Sequence, residues 1–156
     1  VEDSEKKLRS AQGYYELGMC DDALAEIDGI DAKLQQRPDI LELRVLILLR
    51  AREWERALEV SRKLCKIRPE ANGGYIHSAY CLHELGHTEE ARAMLLSGPP
   101  SLTQEPTYHY NLACYESVLG NMEAAQAHLD TSISIDKRFR EFARSDPDLK
   151  AIRHLI

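Results

Sequence analysis

Short apolar runs alternate with charged stretches along the whole chain, and their spacing is helical rather than strand-like. The run "ILELRVLILL" (40–49) is apolar nearly all round, as expected of a helix in the middle of a stack. Four stretches align: "YELGMCDDAL" (15–24), "LRAREWERAL" (49–58), "HELGHTEEAR" (83–92) and "SVLGNMEAAQ" (117–126). Ala23, Ala57, Ala91 and Ala125 recur at intervals of 34 residues. The same interval links Gly18, Gly86 and Gly120, with Arg52 at the second unit's place, and it links Leu17, Ala51, Leu85 and Leu119. Twelve residues before each recurring alanine stands a small or slender apolar residue: Ala11, Val45, Ala79, Ala113. Four units in constant phase point to a repeat architecture.

The residue types explain the units. Each glycine follows an apolar helical run, where a left-handed residue ends a helix at low steric cost. Carboxylates follow, as in "LGMCDDA" and "LGHTEEA", and complement the dipole at the start of the next helix. Each unit therefore reads as a helical hairpin. No hairpin buries its own apolar face, so neighbours must stack, and the expected fold class is all-α.

On these residues the chain resembles the tetratricopeptide-repeat (TPR) family, whose unit is a 34-residue helix–turn–helix. The resemblance covers about residues 4–136. It implies one right-handed α-solenoid domain over 1–156, with repeats at about 4–37, 38–71, 72–105 and 106–136 and a C-terminal cap at 137–156. It also implies that the small residues are where the first helix of each hairpin packs on the second. A large residue follows three positions after the first small one: Tyr14, Leu48 and Leu82. The fourth unit departs, with Glu116 there and Tyr115 one place early. Pro69 matches the family's closing proline, which the other units lack. "SGPPSLTQEP" (97–106) reads as a helix break and a loop. In the cap, Phe139, Phe142 and Ala143 are spaced to cover the end of the core. Asp146-Pro147 suits a helix start, and Leu149, Ile152 and Ile156 continue an apolar face. "YNLACYESVLG" and "SDPDLKAI" look like bacterial members of the family.

Composition narrows the function. A net charge of −6 speaks against general nucleic-acid binding. From Lys137 onward six Lys/Arg stand against three Asp/Glu, which reads as a solvated helix surface. The ten-residue run at 40–49 is too short to cross a membrane. Cys20, Cys65, Cys81 and Cys114 form no C-x-x-C pair and read as reduced thiols of a cytoplasmic protein. The charged start has no apolar signal region, and the first residue is Val1, so the chain reads as trimmed or as one domain of something longer.

One string invites catalysis. "HELGH" (83–87) has the H-E-x-x-H spacing that places two zinc-binding imidazoles on one helix face, with a glutamate to activate water. In the repeat register, however, Gly86 ends the helix before His87. No P-loop or dinucleotide fingerprint is present. The expectation is a protein that is not an enzyme and takes no metal and no cofactor.

The resemblance places the binding surface on the concave face, lined by the first helix of each hairpin. Carried over residue by residue, a peptide-binding groove would draw on Tyr15, Leu43, Leu46, Leu49, Arg50, Ile76, His77, Tyr80, Tyr110 and Asn111. Its middle is apolar and aromatic, which marks a candidate binding surface. Relatives that clamp a partner's C-terminal carboxylate use Lys, Asn and Arg at set places. Here those places hold Leu8, Gln12, Leu43, Gly73 and His77, or, one unit on, Glu42, Leu46, His77, Thr107 and Asn111, so a carboxylate clamp is disfavoured. The expected function is a monomeric adaptor binding a partner protein or peptide. The alternatives are self-assembly into a homo-oligomer, or a secretion-type chaperone for a partner's apolar segment.

Overall fold

A computed structural model describes residues 1–156. The chain is all-α and forms two compact units, Val1–Pro69 and Glu70–Ile156. The first unit contains α1 (Glu2–Glu16), α2 (Cys20–Asp28), a 3₁₀ turn (Ala32–Leu34), α3 (Pro38–Arg50) and α4 (Trp54–Ile67). Within it α1 packs on α2, α3 on α4, and α2 and α1 on α3. The second unit contains α5 (Asn72–Glu84), α6 (Thr88–Leu96), a 3₁₀ turn (Pro100–Gln104), α7 (Pro106–Val118) and α8 (Met122–Ile135). It closes with α9 (Phe139–Ser145) and a terminal 3₁₀ segment (Pro147–Leu155). There α5 packs on α6, α7 on α8, α6 on α7, and the terminal segment on α7, α8 and α9.

The expected hairpins are present, and their turns are closed alike. Met19, Glu53, His87 and Asn121 each donate a backbone N–H to the carbonyl five residues earlier, on Tyr14, Leu48, Leu82 and Glu116, at 2.8–2.9 Å. This is the longer bond of a Schellman closure, and it requires a left-handed residue just before the donor. Gly18, Gly86 and Gly120 supply it with φ of +76°, +86° and +88°. Arg52 supplies it in the second hairpin at φ +59°, the one non-glycine residue in that region. The small residues then explain themselves: Ala11, Val45, Ala79, Ala113 and the four recurring alanines are all 0% exposed. A larger side chain at any of them would push two helices apart.

Three local features depart from the sequence reading. Residues 97–106 are not an open loop: Pro100–Gln104 forms a 3₁₀ turn that buries Leu102. Gly98 is required there, because a Cβ would collide with Leu102 Cδ1 and crowd the Tyr75 ring. In the cap, Ala143, Leu149 and Ile152 are buried, but Phe142 is 55% exposed and does not cover the core end. Asp146 and Pro147 do start a helix, but it winds as 3₁₀. The misfit at Glu116 is also resolved. The carboxylate is buried, accepts from Arg92 Nη1 at 2.9 Å and from Asn121 Nδ2 at 3.2 Å, and so pairs where the other hairpins place bulk.

Candidate functional site

The "HELGH" string does not form a zinc-binding helix. Helix α5 ends at Glu84, Gly86 turns the chain left-handed, and His87 is the residue that precedes α6. His87 is exposed, with Nδ1 3.9 Å from Glu90. His83 faces elsewhere. Its Nδ1 lies 3.0 Å from Thr88 Oγ1, and its Nε2 lies 2.8 Å from Asp148 Oδ2 in the cap. The ring packs on Tyr115 with centroids 4.9 Å apart.

The residues assigned to the groove have different fates within their own units. In the first unit, Arg50 and Tyr15 come together. The guanidinium Nη1 donates to the Tyr15 carbonyl at 2.7 Å, and its carbon sits 5.5 Å from the tyrosine ring centre. Leu46 and Leu49 are half-buried, and Leu43 is buried. In the second unit, Tyr80 is 39% exposed on α5, with Ile76 and His77 half-buried one turn earlier. Burial holds the His77 pKa below its ordinary value and keeps the ring neutral. Asn111 is half-buried, whereas Tyr110 is buried beneath the cap.

Around Tyr110 the cap builds a polar cluster that no linear motif announced. The Tyr110 hydroxyl donates to Asp146 Oδ2 at 2.7 Å, and its ring lies 5.2 Å from that of Phe139. Asp146 Oδ1 accepts the Asp148 N–H at 3.0 Å, which starts the terminal segment. Cys114 Sγ approaches Asp146 Oδ2 at 3.7 Å. Ligand atoms of Cys114, Asp146 and Asp148 all lie within 4.8 Å of one another. Burial, helped by the neighbouring carboxylates, pushes the Tyr110 hydroxyl and the Cys114 thiol well up. For His83, burial opposes the charged form. The hydrogen bond and charge of Asp148, with Glu84 and Asp146 behind it, outweigh burial and raise the pKa. His83 and Asp148 are 65 residues apart, so their pairing could not be read from spacing.

Helical hairpins in a 34-residue phase, closed by Schellman turns and packed through alanines, define the fold class: this is the tetratricopeptide-repeat fold. Solved structures of that kind superpose on the chain. TTC0263, a thermophilic TPR protein of Thermus thermophilus, matches with a TM-score of 0.78 at 21% identity, over 97% of this chain and 81% of that one. A MamA structure from Desulfovibrio magneticus RS-1 matches with a TM-score of 0.80 at 14% identity, over 92% and 81%. The MamA MSR-1 structure matches with a TM-score of 0.74 at 18% identity, over 88% and 79%. No family model matches the chain. No curated protein matches it.

Proposed function

We propose that the chain is a non-enzymatic adaptor that binds a peptide or helix of a partner protein on the first helices of its hairpins. The observation that carries this reading is Tyr80, 39% exposed on a helix whose Gly74, Ser78, Ala79, Cys81 and Leu82 are buried. An amphipathic aromatic that costs little side-chain entropy to order is the commonest kind of interface anchor. Ile76 and His77, one turn away, extend the surface on α5. In the first unit, Leu46, Leu49 and the Tyr15–Arg50 pair offer a second apolar surface with a charged edge. The TPR fold shared with TTC0263 supports a protein partner. Free thiols at Cys20, Cys81 and Cys114 suit a reducing compartment and support a cytoplasmic location. No helix is long and apolar enough to cross a membrane.

The test begins with the full chain as bait and a photo-crosslinking residue at position 80, followed by calorimetry with the captured partner. An anchor worth about 2 kcal/mol means that Tyr80→Ala weakens binding roughly thirtyfold. Its melting midpoint should stay near wild type. Unchanged affinity with a preserved fold would remove this surface from the interface. A stable dimer that Leu46→Asp breaks would replace the adaptor reading with self-assembly.

A further inference from the structure

His83 opens the misleading "HELGH" string, yet the structure gives it a different set of metal-binding neighbours. Cys114 comes from α7, and Asp146 and Asp148 come from the Asp-Pro-Asp turn of the cap. We propose that Cys114, Asp146 and Asp148 form a zinc site that fastens the cap to the fourth hairpin, with His83 of the third hairpin holding Asp148 in place and water completing the coordination.

Four observations converge. Three atoms no more than 4.8 Å apart share a point within about 2.8 Å of each, at most about 0.5–0.8 Å beyond Zn–S and Zn–O bonds. Small rotamer adjustments close that gap. His83 lies outside that group but holds Asp148 in it, with Nε2 2.8 Å from Asp148 Oδ2. The donor set of one thiolate and two carboxylates selects zinc over calcium or magnesium, which take oxygen ligands alone. Outer partners are in place as well. Thr88 Oγ1, 3.0 Å from Nδ1, can donate to it and so favours the His83 tautomer whose Nε2–H donates to Asp148. Tyr110 donates to Asp146 and orients that carboxylate.

Without a cation, the cluster sets two carboxylates beside a thiol that is 4% exposed and holds only a 3.7 Å contact. A divalent ion would gather the thiolate and the two carboxylates around one positive charge. On binding, the Cys114 S–H proton passes to solvent, and the carboxylates of Asp146 and Asp148 complete the protein's ligand set.

The experiment uses the full chain without a histidine tag, reduced and stripped with a chelator, then titrated with Co²⁺ as a spectroscopic stand-in. The expected result is one equivalent bound, with a thiolate-to-cobalt absorption band and the intense visible bands of a tetrahedral ion, both abolished by Zn²⁺. Cys114→Ser removes the thiolate band, and Asp148→Asn weakens affinity at least tenfold. Cys20→Ser and Cys65→Ser leave both unchanged. Zinc raises the melting temperature of the wild type but not of Cys114→Ser. A wild type without the thiolate band overturns the proposal. So does a band that survives in Cys114→Ser or is indifferent to Asp148→Asn, since either means an adventitious ion only. If Cys114→Ser does not fold by circular dichroism, the wild-type band and its response to Asp148→Asn decide alone.

Discussion

The first and third hairpins end differently from the second and fourth. Helices α2 and α6 stop after 9 residues and pass into a 3₁₀ turn, whereas α4 and α8 run for 14. The helix that follows each short one opens on a proline, Pro38 or Pro106, which stand 68 residues apart. At the equivalent place the odd hairpins carry a polar residue, Ser4 or Asn72, and each ties down its own connection. Ser4 Oγ accepts the Asp31 N–H at 3.4 Å. Asn72 accepts the Ser101 hydroxyl at 2.7 Å and donates to Glu105 at 3.2 Å. Arg37, the counterpart of Glu105, reaches back to Glu5 at 2.7 Å. The structural period is thus two hairpins, laid over a packing period of one. A side chain at the start of one helix fixes the exit of the next, and the proline resets the chain for the helix after that.

Substitutions can break this likeness or sharpen it. The largest effect is expected at Leu102, which is buried in the second unit's connection, while its counterpart Leu34 is half-buried. Leu102→Ala should cost about 2–5 kcal/mol, and Leu34→Ala clearly less, by urea melts followed by circular dichroism. Equal losses would mean that the two connections are anchored alike. Next come the polar ties: Ser4→Ala and Asn72→Ala should each cost about 0.5–1.5 kcal/mol, with hydrogen exchange rising in the connection that each one holds. Exchange unchanged in both would show that the prolines alone set the exits. The smallest effect concerns the turns. Arg52→Gly should stabilise by up to about 1 kcal/mol, since glycine adopts a left-handed φ freely, and Gly86→Ala should cost a similar amount. A loss on Arg52→Gly would show that the arginine side chain compensates for its backbone.

Single hairpins were legible because their determinants are local. A left-handed glycine, a pair of carboxylates and two close-packed alanines all fall within one 34-residue window. The two-hairpin period was not, because residues 97–106 read as an isolated irregularity until α2 proved to end in the same way. Glu116 looked out of place because its partner, Arg92, lies on another hairpin. The cap was half legible. Asp146-Pro147 announced a helix start, but nothing in the sequence linked Asp148 to His83 or Asp146 to Tyr110. For the groove, residue order gave which helix each side chain sits on, but not that Leu43 and Tyr110 would be covered.

The way each turn is tied has a consequence for the nascent chain. Every Schellman bond joins residues five apart, and the two helices of each hairpin pack on one another. At ordinary translation rates of about 5–20 residues per second, a complete hairpin leaves the ribosome every 2–7 seconds or so. That is ample time for contacts that form in microseconds. A growing chain of this kind can fold hairpin by hairpin as it is made, holding one apolar face open only until its neighbour arrives. The interval during which it is open to misassembly is then set by the synthesis of one hairpin, not by the length of the chain.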